Sequence, residues 1–122
     1  IITPFDYIVE QDLIMGTNKS GFYRKWNKGA VECWLNVKLT INTTCYDNDT
    51  YASQTIANAV QFPDGLFVRI APVITVSPIG GGYPCVILSS PNYQGFGVNV
   101  KTEWEVENGD IWLNIYAVGY WK

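Results

Sequence analysis

The sequence of 122 residues contains no histidine. That removes the usual general base near neutral pH, the commonest metal ligand and every histidine-dependent catalytic triad, so any chemistry would have to rest on carboxylates. Charge is scarce too. Only 16% of residues are Asp, Glu, Lys or Arg, the net charge is −3, and the longest basic cluster is Arg24-Lys25, which leaves no electrostatic footprint for DNA or RNA. There is no run of 18 apolar residues and no basic stretch followed by a hydrophobic core at the start, so neither a membrane span nor a signal peptide is expected. Cys33, Cys45 and Cys85 are odd in number and widely spaced, with no Cys-x-x-Cys pair. Buried free thiols are expected rather than a zinc site or a disulfide framework. Gly80-Gly81-Gly82 lacks the Lys-Ser/Thr and the following helix of a phosphate loop, and Asp47-Asn48-Asp49 lacks calcium-hand spacing; both read as turns, and no cofactor is expected. Sequons at Asn18, Asn42 and Asn48 arise easily by chance in a chain this rich in Asn and Thr. The chain begins at Ile1 rather than Met, as expected of a piece cut from a longer polypeptide and equally of a processed N-terminus.

What is abundant points to one class. Val and Ile number 24 against 6 Leu and 6 Ala, and aromatic residues add 18, so residues suited to a pleated, half-buried surface outweigh helix formers. The length fits one domain with its own core. Hydrophobic residues reach 48%, and so much apolar side chain with so little charge implies a surface that meets a partner.

Alternation locates the strands. From Ala30 to Ile41, Val31, Cys33, Leu35, Val37, Leu39 and Ile41 fall on one face, which is a strand over a core. Ser20 to Trp26 alternates likewise, and Asn27-Lys28-Gly29 suits a three-residue hairpin loop with Gly29 in the left-handed conformation. That register sets Phe22 opposite Trp34 and Arg24 opposite Glu32, predicting an Arg24–Glu32 pair between two indoles. From Asp110 to Trp121 both faces are apolar. Further strands are expected at Tyr7 to Gln11, Ala52 to Phe62, Ala71 to Ser77, Tyr83 to Ser89 and Phe96 to Trp104, the last with Trp104 inward. Glu107-Asn108-Gly109 reads as a hairpin turn. Thr43 to Tyr51 reads as a polar loop long enough to carry function. The expected fold is an all-β, antiparallel sandwich of about seven strands, with a closed barrel as the alternative.

Asp6-Tyr7-Ile8-Val9-Glu10-Gln11, followed by the run from Gly21 to Trp34 with Tyr23-Arg24-Lys25-Trp26-Asn27 and Glu32-Cys33-Trp34, resembles the opening of distal domains on tail-fibre and minor tail proteins of phages and prophages. The second half, with Ala71 to Val76, Gly95-Phe96-Gly97-Val98, Trp112 and Ala117-Val118-Gly119-Tyr120-Trp121, is similar in pattern to these domains and to the H-type lectin sandwich. The resemblance implies a homotrimer at a fibre end, an upstream stalk segment leading to the virion, assembly in the bacterial cytoplasm, and adsorption to a host surface. Trp34, Trp112, Tyr116 and Tyr120 are the candidate oligomer interface. A monomer with a ligand-binding face is the competing explanation for the surplus of apolar side chain.

Three functions are compatible with these residues. The first is non-catalytic binding of a bacterial surface saccharide, since aromatic rings stack on sugar C–H faces and Asp, Asn and backbone groups bind hydroxyls. Loops at one end of the sandwich would supply Asp47, Asn48, Asp49 and Tyr51, with Tyr83, Asn92 and Tyr93 flanking the later turns. The second is polysaccharide hydrolysis by paired carboxylates, for which Glu103, Glu105 and Glu107 alternate along a strand end with suitable spacing. The third is a structural cap that registers three chains.

Overall fold

The alternation that begins at Ala30 runs two residues further than its apolar pattern, to Thr43, and forms the middle strand of one of two sheets. The structure, a computed structural model, describes residues 5–122 without the Asp47 side chain. In chain order the strands are β1 (Ile8–Gly16), β2 (Lys19–Trp26), β3 (Ala30–Thr43), β4 (Cys45–Asp47), β5 (Thr50–Ala52), β6 (Ile56–Gln61), β7 (Val73–Gly80), β8 (Cys85–Ser89), β9 (Gly95–Thr102) and β10 (Val106–Tyr120). The described residues thus hold ten strands rather than seven and no helix. The extra strands come from the Thr43 to Tyr51 segment, which is a hairpin of β4 and β5 and not a long loop.

One sheet has the order β1-β2-β3-β10-β7. In the other, Val98 pairs with both Leu88 and Ile56, and Lys101 pairs with both Cys85 and Ala52. β8 therefore holds one edge of β9, while β5 and β6 share the other, with β4 outside β5. Every pairing is antiparallel. The sheets face each other as a sandwich, not a barrel. Val31, Cys33, Leu35, Ile41, Ile111, Leu113 and Ile115 on one inner face meet Val60, Phe96, Val98 and Val100 on the other. Phe62, Leu66 and Phe67, from the end of β6 and the turn after it, plug one end of this core, with Phe62 and Phe67 edge to face at 4.9 Å.

The β2–β3 hairpin forms as its residues predict: Phe22 pairs with Trp34, Arg24 with Glu32, and Gly29 takes φ 111°. Three other expectations fail for local reasons. Asn108-Gly109 is not a hairpin turn but lies inside β10, where a register shift between Val106 and Gly109 inserts a residue opposite β3 and Asn108 adopts φ 48°; the Asn42 carboxamide holds this bulge by accepting from Asn108 N–H at 2.8 Å. Trp104 is half exposed because β9 leaves the ladder at Thr102. Of the thiols expected to be buried, only Cys33 is, and burial raises it to about 12; Cys45 and Cys85 lie on the surface.

Candidate functional site

Registry across the five-stranded sheet aligns one outward side chain per strand into rows. Leu13, Phe22, Trp34, Tyr116 and Thr75 form one row. Phe22 stacks on Trp34 at 4.6 Å and Trp34 tilts against Tyr116 at 5.2 Å, the cross-strand aromatic packing that favours a flat, rigid surface. Met15, Ser20, Asn36, Asn114 and Ser77 form the neighbouring row, with Asn36 Nδ2 donating to Asn114 Oδ1. An open groove of about 390 Å³ runs between the two rows.

On the other side of the aromatic row, Arg24 and Glu32 are opposite one another but are occupied elsewhere. Arg24 Nε donates to Gln11 Oε1 at 3.0 Å, and its guanidinium lies over Phe22 and Trp34 at 5.4 and 5.3 Å, not between two indoles. Glu32 accepts from Trp26 Nε1 at 2.9 Å and from the Tyr116 hydroxyl at 2.6 Å. Burial and this carboxylate push Tyr116 up to about 12.

All four residues expected at an oligomer interface lie on this outer face. Trp34 and Tyr116 are half-buried against neighbours in the same chain, whereas Trp112 and Tyr120 stay exposed. The most exposed apolar side chains here sit on the two edge strands: Leu13 at 71%, Met15 at 76% and Val73 at 71%, with Ile79 beside Trp112. Nothing in the sequence singles out these four, because isolated apolar residues on a surface are ordinary.

The expected ligand-binding residues divide between the two ends of the sandwich. At one end Asn48 (φ 48°) and Asp49 (φ 66°) are the central residues of the β4–β5 turn, a conformation that Asn and Asp tolerate and the strand twist prefers. The Asp49 carboxylate accepts from the Tyr46 hydroxyl at 2.8 Å, which raises Tyr46, and Tyr46 meets Tyr51 edge-on at 5.2 Å. The Asp47 backbone pairs with Thr50, and its side chain lies outside the described residues. Tyr83 (φ 49°) meets Trp104 edge-on at 5.5 Å. Both pairs belong to the same end because Thr102 pairs with Tyr51 and Glu103 N–H donates to the Gly82 carbonyl. Glu103 and Glu105 lie in the β9–β10 turn and Glu107 in the bulge, all exposed, so their expected alternation along a strand does not form.

Asn92 and Tyr93 sit at the opposite end, just before β9 begins, so the seven residue steps of β9 put them roughly 23 Å away. The Asn92 side chain is committed to its turn: Oδ1 accepts from Gln94 N–H at 2.7 Å and Gly95 N–H at 3.3 Å, and Nδ2 donates to the Ser90 carbonyl at 3.1 Å. Tyr93 is free at the rim of a cleft. Among the described residues no cluster of three acidic or cysteine side chains could hold a metal ion, and no helix is long and apolar enough to cross a membrane.

The sequence matches no protein-family model and no curated protein. Among solved structures, a C-terminal portion of the R1 pyocin fibre of P. aeruginosa is similar with a TM-score of 0.51 at 15% identity, over 92% of this chain and 28% of that one. An N-truncated R1-type pyocin tail fibre is similar with a TM-score of 0.51 at 16% identity, over 92% of this chain and 87% of that one. At these identities the likeness is one of fold. This chain spans little more than a quarter of the first fibre structure.

Proposed function

We propose that the chain is a distal domain of a phage-tail-type fibre that associates with two further copies through the outer face of its five-stranded sheet and adsorbs, without catalysis, to saccharide on a bacterial surface. The observation that carries the reading is the fold shared with two pyocin fibre structures over 92% of the chain. The outer face supports the assembly. Five strands at 4.8 Å spacing and about eight residues in length cover roughly 600 Å² of flat area, close to one partner's share of a standard interface. Its core is aromatic and its rim carries Leu13, Met15, Val73 and Ile79. Three linked copies would make weak saccharide contacts useful without strengthening any single one.

The experiment is sedimentation of the full chain together with a glycan array. A trimer at micromolar concentration that binds bacterial glycans is the expected result. A lone particle at every concentration removes the assembly; silence across the array removes adsorption. A trimer that binds nothing would instead make the domain a cap, a second reading supported by the Asp49 and Asn92 side chains, which are both engaged within their own turns.

A further inference from the structure

At the end where β9 starts, Phe62 and Phe67 form the floor of an open cleft of about 490 Å³ whose walls include Asp64, Arg69, Tyr93 and Gln94. A second hollow of about 230 Å³ adjoins it and shares Asp64 and Gln94; Asn58, Gln61 and Asn92 complete its walls. The two chambers differ in chemistry: the first pairs an aromatic floor with a half-exposed tyrosine ring, and the second is lined by carboxamides and a carboxylate. Among the described residues, no hydrogen bond or ion pair engages the side chains of Asn58, Asp64, Arg69 or Gln94. This contrasts with Asp49 and Asn92, which are already used.

One backbone position in the cleft wall is held in a costly conformation. Arg69 has φ of 73°, and for a residue such as Arg this region costs about 1–2 kcal/mol. Arg69 keeps it because its neighbours are tied down: Val68 N–H donates to the Tyr120 carbonyl and Ile70 N–H to the Val68 carbonyl, each at 2.9 Å. Strain retained beside a cleft with unspent polar groups fits a position kept for contact with a ligand.

We infer that this double cleft binds a charge-neutral saccharide of at least two units, an inference that rests on the adsorption reading and gives it a place. The larger chamber has the volume of a small-ligand site. One carboxylate and one guanidinium give a lining with no net charge, which disfavours phosphate-rich and polyanionic ligands. The exposed Tyr93 ring, at the rim of a chamber floored by apolar side chains, suits the C–H face of one pyranose, and the Asn58, Gln61 and Gln94 amides of the second chamber suit the hydroxyls of the next. Asp64, on the wall common to both chambers, can accept hydroxyls from either unit.

The test probes the full chain on an array of neutral and anionic bacterial glycans, then compares Asp64→Asn and Tyr93→Ala with Tyr83→Ala and Trp104→Ala, each checked for an unchanged melting curve. The expected result is a neutral ligand whose affinity falls about tenfold or more with either cleft substitution, as when one buried polar or stacking contact is lost, and stays unchanged with the other two. Loss of binding in Tyr83→Ala or Trp104→Ala with parental affinity in both cleft variants overturns the inference while leaving adsorption intact. Preference for anionic glycans overturns the ligand class. Silence across the whole array overturns the adsorption reading and this inference with it.

Discussion

The hydroxyls of Thr43 and Thr102 lie 2.7 Å apart in the core, linking the middle strand of one sheet to the central strand of the other. Their proton order follows from their other contacts. Thr102 Oγ1 donates to the Trp104 carbonyl at 2.7 Å, so Thr43 must donate to Thr102, and Thr43 Oγ1 accepts from Val106 N–H at 3.1 Å. Thr102→Val would leave the Thr43 hydroxyl proton without its acceptor and the Trp104 carbonyl without its hydroxyl donor, at a cost of about 1–3 kcal/mol. Urea denaturation should show that loss, and Thr43→Val combined with Thr102→Val should cost less than the sum of the single changes.

Tyr116 and Tyr23 are each pushed up to about 12, Tyr116 by burial and then by Glu32, Tyr23 first by its hydrogen bond to Glu10. The folded protein therefore holds both phenolic protons more tightly than the unfolded chain, whose tyrosines titrate near the ordinary 10.0. The associated stability is complete below pH 10 and falls as the pH rises toward 12. A near-ultraviolet titration should show Tyr116 and Tyr23 ionising late, and Glu32→Gln should bring Tyr116 down while leaving Tyr23 in place.

Assembly through the outer face predicts sharp sensitivity to a charge placed on its apolar side chains. Trp112→Glu or Ile79→Lys should leave the circular dichroism of the sandwich unchanged and shift the sedimenting species to a monomer, since a charge buried without a partner at an interface costs about 2 kcal/mol or more per copy. Tyr83→Ala, remote from that face, should leave the assembly whole.

Arg69→Gly offers a trade of stability against binding. Glycine adopts φ 73° without a steric penalty, so thermal denaturation should show a gain of about 1 kcal/mol, while saccharide affinity falls. A substitution that lowered both would mean that Arg69 is held for packing and not for a ligand.

Much of the strand pattern was legible because period-two burial is a local property. Ala30 to Ile41 and the Asn27-Lys28-Gly29 hairpin with its Phe22–Trp34 register needed only alternation and one permissive glycine. The same Asn-Gly cue failed at Asn108-Gly109 because a bulge and a hairpin turn demand similar backbone angles, and the choice depends on the partner strand, here β3. Phe62, Leu66 and Phe67 carry no periodicity, so their role as the plug of the core was invisible. The division of candidate binding residues between two ends was also hidden, since it follows from the antiparallel pairing of β5 and β8 with β9, which sets the β4–β5 hairpin and the start of β8 beside the end of β9. Trp104 and Tyr46, each edge-on to a tyrosine that the sequence singled out, were missed for the same reason.

Pro78 lies within β7, an outermost strand, paired with Leu113. A proline takes an amide donor out of that margin, and on the opposite margin, β1, Leu13 N–H already donates to the Asp12 carboxylate at 2.8 Å while the register slips between Ile8 and Glu10, so a neighbouring copy finds an interrupted ladder on both sides. Joining β1 to its own counterpart makes a closed pair with two-fold symmetry; a ring of three would need two different margins that fit each other. With both margins of this sheet interrupted, strand-to-strand growth is discouraged at either side, and copies that meet here do so flank against flank.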